Sequence, residues 1–95
     1  MDIERIKLME ERFDRASDAV KRMSDAFEVY ESVKDDINIL NEYYGSEELK
    51  QDLADDEAGL LPKDLKRGVL SEDGIWDLLS EHTDMLEQMK QMCQL

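Results

Sequence analysis

Few side chains in this sequence are equipped for chemistry. There is one histidine, His82, and one cysteine, Cys93, against 25 aspartates and glutamates. Nucleophilic catalysis needs a serine, cysteine or threonine beside a base, and a zinc centre needs several nitrogen or sulfur ligands. His82 has no second histidine, cysteine or suitably spaced serine near it, so it reads as a structural or boundary residue. Cys93 lies close to the C-terminus, where chain ends fray, and reads as a bystander thiol. Carboxylates at helical spacing can hold magnesium when two helices each contribute a pair. Asp52 with Asp55 and Asp56 has that spacing, but neither long helical segment offers a matching inward pair. A small metal-dependent hydrolase at this acidic loop is therefore the weakest functional reading. No catalytic, cofactor-binding or metal-ligating residue is assigned.

Charge is distributed more informatively than the reactive groups. Residues 1–44, 45–62 and 71–95 each carry a net charge of −5. Only residues 63–70 reverse the sign, with Lys63, Lys66 and Arg67 against Asp64 for a net +2. These cations have two readings. They can pair with Asp55, Asp56, Glu57 and Asp73 to hold the connection in place, or they can present a recognition edge to an acidic partner or a phosphate. Three charges are too few for nucleic-acid binding by a chain of net charge −13.

The elements that position these groups are helical. From Ile6 the apolar residues run Ile6, Met9, Phe13, Ala16, Val20, Met23, Phe27 and Tyr30, alternating steps of three and four. That is an unbroken heptad seam on one helix face. It predicts a helix over about 2–31, supported by Glu11–Arg15 and Asp18–Arg22 pairs four residues apart. The phase then slips at Val33. Ser32 is expected to cap a second helix over 33–44, although one long helix with a local distortion fits the same residues. Gly45 is expected to close this segment in the left-handed conformation.

Ser46 followed by Glu47 and Glu48 predicts a short helix over about 47–54. The run from Asp55 to Gly59 is too acidic for a core element. Leu60-Leu61-Pro62 is expected to re-enter the core, followed by a turn over 63–66 that Gly68 closes. Ser71, Glu72 and Asp73 mark the start of a last helix over 72–92, with Gly74 costing little in its first turn. Its apolar face carries Ile75, Leu78, Leu79, His82, Met85, Leu86, Met89 and Met92. Met23, Met85, Met89 and Met92 read as core filler, with adaptable partner contact the lesser alternative.

The expected architecture is all-α: a single domain of 95 residues, with a long N-terminal helix, a shorter middle segment and a C-terminal helix in a small bundle. In it the last helix lies on the heptad seam, and Ile37, Leu40, Leu49 and Leu53 close the third side. Any length of seam left uncovered would be a dimerisation surface. A hydrophobic content of 41% excludes a disordered chain, and the scarcity of β-branched residues disfavours strands. No apolar run is long enough to span a bilayer, no secretory leader is evident, and a lone cysteine suits a reducing compartment. These features together predict a cytoplasmic protein. No small-molecule substrate, nucleic acid or membrane partner is expected.

The stretch from Asp56 through Gly59-Leu60-Leu61-Pro62-Lys63-Asp64-Leu65-Lys66-Arg67-Gly68 to Asp73 resembles the distinctive segment of a family. That family is the bacterial domain-of-unknown-function group numbered 4298. The similarity extends to Glu4-Arg5-Ile6 and to Tyr43-Tyr44-Gly45-Ser46, and so covers nearly the whole chain. The resemblance implies a small helical bacterial protein without an assigned activity, and it carries no site residues over. It does place the identifying segment on a connection, where function often resides, and a tight turn through Gly59, Pro62 and Gly68 is the alternative, fold-only account of those residues.

The resulting expectation is a non-enzymatic interaction module, a homodimer or bound to another protein, with Lys63, Lys66 and Arg67 as candidate contacts. The alternative from another class is an acidic inhibitor that imitates nucleic-acid charge and binds a basic nucleic-acid-binding protein.

Overall fold

The computed structural model describes residues 1–94. It contains three α-helices: α1 (Ile3–Tyr43), α2 (Glu47–Glu57) and α3 (Gly74–Met92), with a 3-10 turn at Gly68–Leu70 between the last two. Among the described residues there is no strand, so the fold is all-α. Two compact units divide the chain, 1–34 and 35–95.

The first unit is helix alone. Asp2 starts α1 by accepting the Arg5 backbone N–H on its Oδ1 at 2.9 Å, which satisfies one of the donors orphaned at a helix start. No residue of α1 is buried. The heptad seam is therefore open: Phe13 is 66% exposed, Val20 70% and Phe27 48%. Met23 and Met92 are likewise exposed rather than core filler, whereas Met85 and Met89 are half-buried.

The expected break near residue 32 is absent, and the single long helix is the arrangement found. Ser32 does not cap a new helix. Its hydroxyl donates instead to the Val29 carbonyl at 2.6 Å, a local bond that serine makes inside a continuing helix. The slip at Val33 rotates the apolar stripe around one helix without ending it.

The second unit is built around the connection. Ser46 caps α2 by accepting the Leu49 N–H at 3.1 Å, and its own hydroxyl donates to the Tyr43 carbonyl at 2.7 Å. Helix α2 runs to Glu57, beyond the expected end at 54. Its close is a Schellman motif, with the Leu60 N–H donating to the Asp55 carbonyl and the Gly59 N–H to the Asp56 carbonyl, both at 3.0 Å. Gly59, at φ +72°, is the left-handed residue. Gly45 is not, which corrects the expectation for that turn. The acidic run 55–59 is thus the end of a helix, and its glycine satisfies carbonyls that would otherwise be orphaned.

Leu60 is exposed and Leu61 half-buried, so that pair enters the core only through its second member. Gly68 opens the 3-10 turn rather than closing the preceding one. Helix α3 begins at Gly74, two residues later than expected. Ser71 contributes to the start all the same: its hydroxyl donates to the Gly68 carbonyl at 2.6 Å and accepts the Gly74 N–H at 3.1 Å. The packing centre is Ile75, 4% exposed, where the 3-10 turn meets α3. Ile37, Leu40, Leu49 and Leu70 are half-buried, whereas Leu53 stays exposed.

Candidate functional site

The basic turn is built by one residue reaching backwards. Arg67 donates from Nε to Asp56 Oδ1 at 2.8 Å. Its Nη1 donates to the Leu65 carbonyl at 2.9 Å and the Lys63 carbonyl at 3.3 Å. Its Nη2 donates to the Pro62 carbonyl at 2.6 Å and, more loosely, to Leu61 at 3.5 Å. A guanidinium is a rigid planar fork with five N–H donors, so one side chain can gather successive carbonyls of a tight connection. The Pro62 carbonyl also accepts the Leu65 N–H at 3.2 Å, and Arg67 adds donors for this and the other carbonyls of a segment that lies outside helix and sheet.

This geometry separates the three candidate cations. Arg67 and Asp56 are each about two-thirds covered and neutralise one another. Lys63 and Lys66 are exposed and form no ion pair among the described residues. The recognition edge read from the sequence thus presents two free ammonium groups rather than three cations. Lys66 stands over a shallow apolar concavity lined by Leu40, Val69, Ile75 and Leu78.

The acidic residues weighed as metal ligands are also in use. Tyr43 donates its hydroxyl to Asp52 Oδ2 at 2.6 Å, and the Gln51 amide donates to Asp55 Oδ1 at 2.9 Å. The hydrogen bond to the Asp52 carboxylate is the main reason that the Tyr43 phenol is pushed up to about 12, with desolvation and the charges of Asp52 and Glu48 adding to it. Among the described residues no cluster of three or more histidine, cysteine or carboxylate groups converges on a point. His82 is half-buried on α3, and Cys93 is exposed as a free thiol.

One surface residue escaped the sequence reading. Trp76 is 55% exposed and forms a shallow patch with Leu79, Ser80 and Thr83 on α3. Its signal was present, because Trp76 lies about 100° around the helix from Ile75 and so falls on the flank of the Ile75–Leu79–His82 stripe, beside Leu79. The larger apolar surface is the seam on α1, where Ile6, Met9, Phe13, Val20, Met23 and Phe27 are all exposed.

These features define an all-helical chain with an apolar heptad face on its first helix and a connection fastened by a single arginine. The chain belongs to the family described as domain of unknown function DUF4298, whose family model matches residues 6–92. No curated protein and no solved structure matches the sequence. Among the described residues, no helix is long and apolar enough to cross a membrane.

Proposed function

We propose that this protein is a non-enzymatic interaction module whose docking face is the apolar seam of α1. The observation that carries this reading is the exposure of Phe13, Val20, Met23 and Phe27 on one face of a helix segment that buries none of its residues. Helices in water owe most of their stability to packing an amphipathic face, and large contiguous apolar surfaces mark association sites. An a/d seam of this regularity fits another helix, in coiled-coil fashion. The exposed Lys63 and Lys66 are a secondary contact, suited to carboxylates on a partner.

The test compares wild type with the double variant Phe13→Glu, Phe27→Glu, in sedimentation and in affinity capture from a cell extract. Wild type should associate, with itself or with a captured protein, and the variant should do neither. A wild type that stays monomeric at high concentration and retains nothing that the variant fails to retain would overturn the proposal. Capture of basic nucleic-acid-binding proteins by both forms, lost steeply as salt rises, would favour the charge-mimic reading instead.

A further inference from the structure

We infer that the Trp76 flank of α3 is a docking surface in its own right, and that its occupant is a basic, arginine-bearing segment of another protein. The inference is independent of the seam on α1.

The first observation is the indole. Trp76 is the only tryptophan of the chain and is 55% exposed, so burial in this fold does not account for it. Tryptophan gives the best cation–π surface among the side chains, and the planar guanidinium of arginine stacks on it. Tryptophan is also among the residues that most often anchor protein interfaces.

The second observation is what stands beside it. At about 100° per residue, Asp73, Asp77 and Asp84 fall in one row along α3, starting about 60° around from Trp76. All three are exposed, and none is in an ion pair among the described residues. Asp73 sits at the N-cap position, yet its side chain makes no capping bond. Asp84 shares the shallow patch of Trp76, Leu79, Ser80 and Thr83. One flank therefore offers an aromatic face and a row of uncommitted carboxylates, which a guanidinium engages together.

Charge then selects the occupant. Residues 68–89 hold six carboxylates and no lysine or arginine. Lys66, the free cation that reaches α3, lies in the concavity with Ile75 and Leu78, about 100–160° around the helix from Trp76. An acidic segment, a nucleic acid or a second copy of this chain would be repelled from such a flank. A neutral apolar segment would leave the aspartates beside it without partners. A basic segment is drawn to it by the net charge of −13 and finds a stacking surface on arrival.

The test uses Trp76 as its own reporter. Trp76 and Asp84 are eight residues apart, about 12 Å along the axis, which an extended chain spans in about four residues. The probe is a labelled glycine–serine peptide with two arginines four residues apart, and glutamines replace the arginines in its control. The free protein should show the emission of a water-exposed indole, and the arginine peptide alone should change it. By peptide anisotropy, Trp76→Leu should bind about 2–5-fold more weakly than wild type. Asp77→Asn, Asp84→Asn should weaken binding more than Glu10→Gln, Glu11→Gln, which removes the same charge from α1. Circular dichroism confirms that each variant is folded. Binding by Trp76→Leu equal to wild type, or equal weakening by the two double variants, would make the attraction diffuse and overturn the docking surface. Indole emission already that of a buried side chain, or no response to the peptide at low salt, would overturn it as well.

Discussion

Arg67 and Asp56 stand eleven residues apart in the chain and meet at 2.8 Å, joining the last turn of α2 to the turn that leads into α3. The same guanidinium holds the carbonyls of the intervening loop, so the ion pair is the fastening of a folded connection rather than a surface contact.

Arg67→Ala should therefore destabilise the second unit by about 1–3 kcal/mol, because it leaves a half-buried carboxylate without its partner and removes the side chain that ties the loop carbonyls together. Arg67→Lys should recover little of this, since an ammonium cannot present the planar fork that reaches Asp56 and the loop carbonyls together. Urea denaturation of the two variants beside wild type checks it. Full recovery by lysine would show that charge alone matters.

Lys63→Glu, Lys66→Glu should behave differently. Both side chains are exposed and unpaired among the described residues, so the double variant should keep wild-type stability to within about 0.5 kcal/mol. This makes it the clean probe of the basic turn as a contact. A triple variant that also changes Arg67 would lose the connection and confuse unfolding with lost recognition.

Gly74→Ala sets two effects against each other. Alanine is favoured over glycine inside a helix by about 1 kcal/mol. At this site, however, a Cβ would fall within 3.0 Å of the Gly68 carbonyl oxygen and the Ser71 hydroxyl. The carbonyl is backbone and cannot swing aside, so the clash should win. The expected outcome is a net loss of about 1–3 kcal/mol in thermal or urea unfolding, whereas helix propensity alone calls for a gain.

Tyr43 and Asp52 make a pH-dependent contribution whose sign follows from the phenol. Its pKa is raised from 10.0 to about 12 in the folded protein, so folding favours the protonated hydroxyl. That contribution is fully present below the unfolded value of 10.0 and is lost as pH rises through about 12. Asp52→Asn should bring Tyr43 back toward the ordinary phenol value. Phenolate absorbance followed against pH, with Tyr30→Phe and Tyr44→Phe removing the other two tyrosines, reads it directly. An unchanged titration in Asp52→Asn would assign the shift to burial rather than to the hydrogen bond.

Much of this molecule was legible in local patterns. The steps of three and four from Ile6 to Tyr30, the cap at Ser46 and the stripe from Ile75 to Met92 depend on contacts within a few residues, which sequence displays directly. The sign reversal at 63–70 was visible for the same reason. Where local signals competed, they misled. Ser32 has the residue type of a cap, yet it bonds back to Val29 because α1 never stops. Gly45 has the residue type of a left-handed terminator, yet that conformation belongs to Gly59.

By itself, then, the sequence determined the all-α class, the seam and the place of the basic turn, since each follows from spacing and charge along one chain. Tertiary structure alone decided which cation is committed and which are free, because Arg67 finds Asp56 across a loop that no periodicity describes. It also decided that Gly74 is a close-approach site, a fact that depends on where the Gly68 carbonyl points. The seam of α1 is different again, because the face a helix offers is written in its residues, whereas the covering of such a face depends on what packs there.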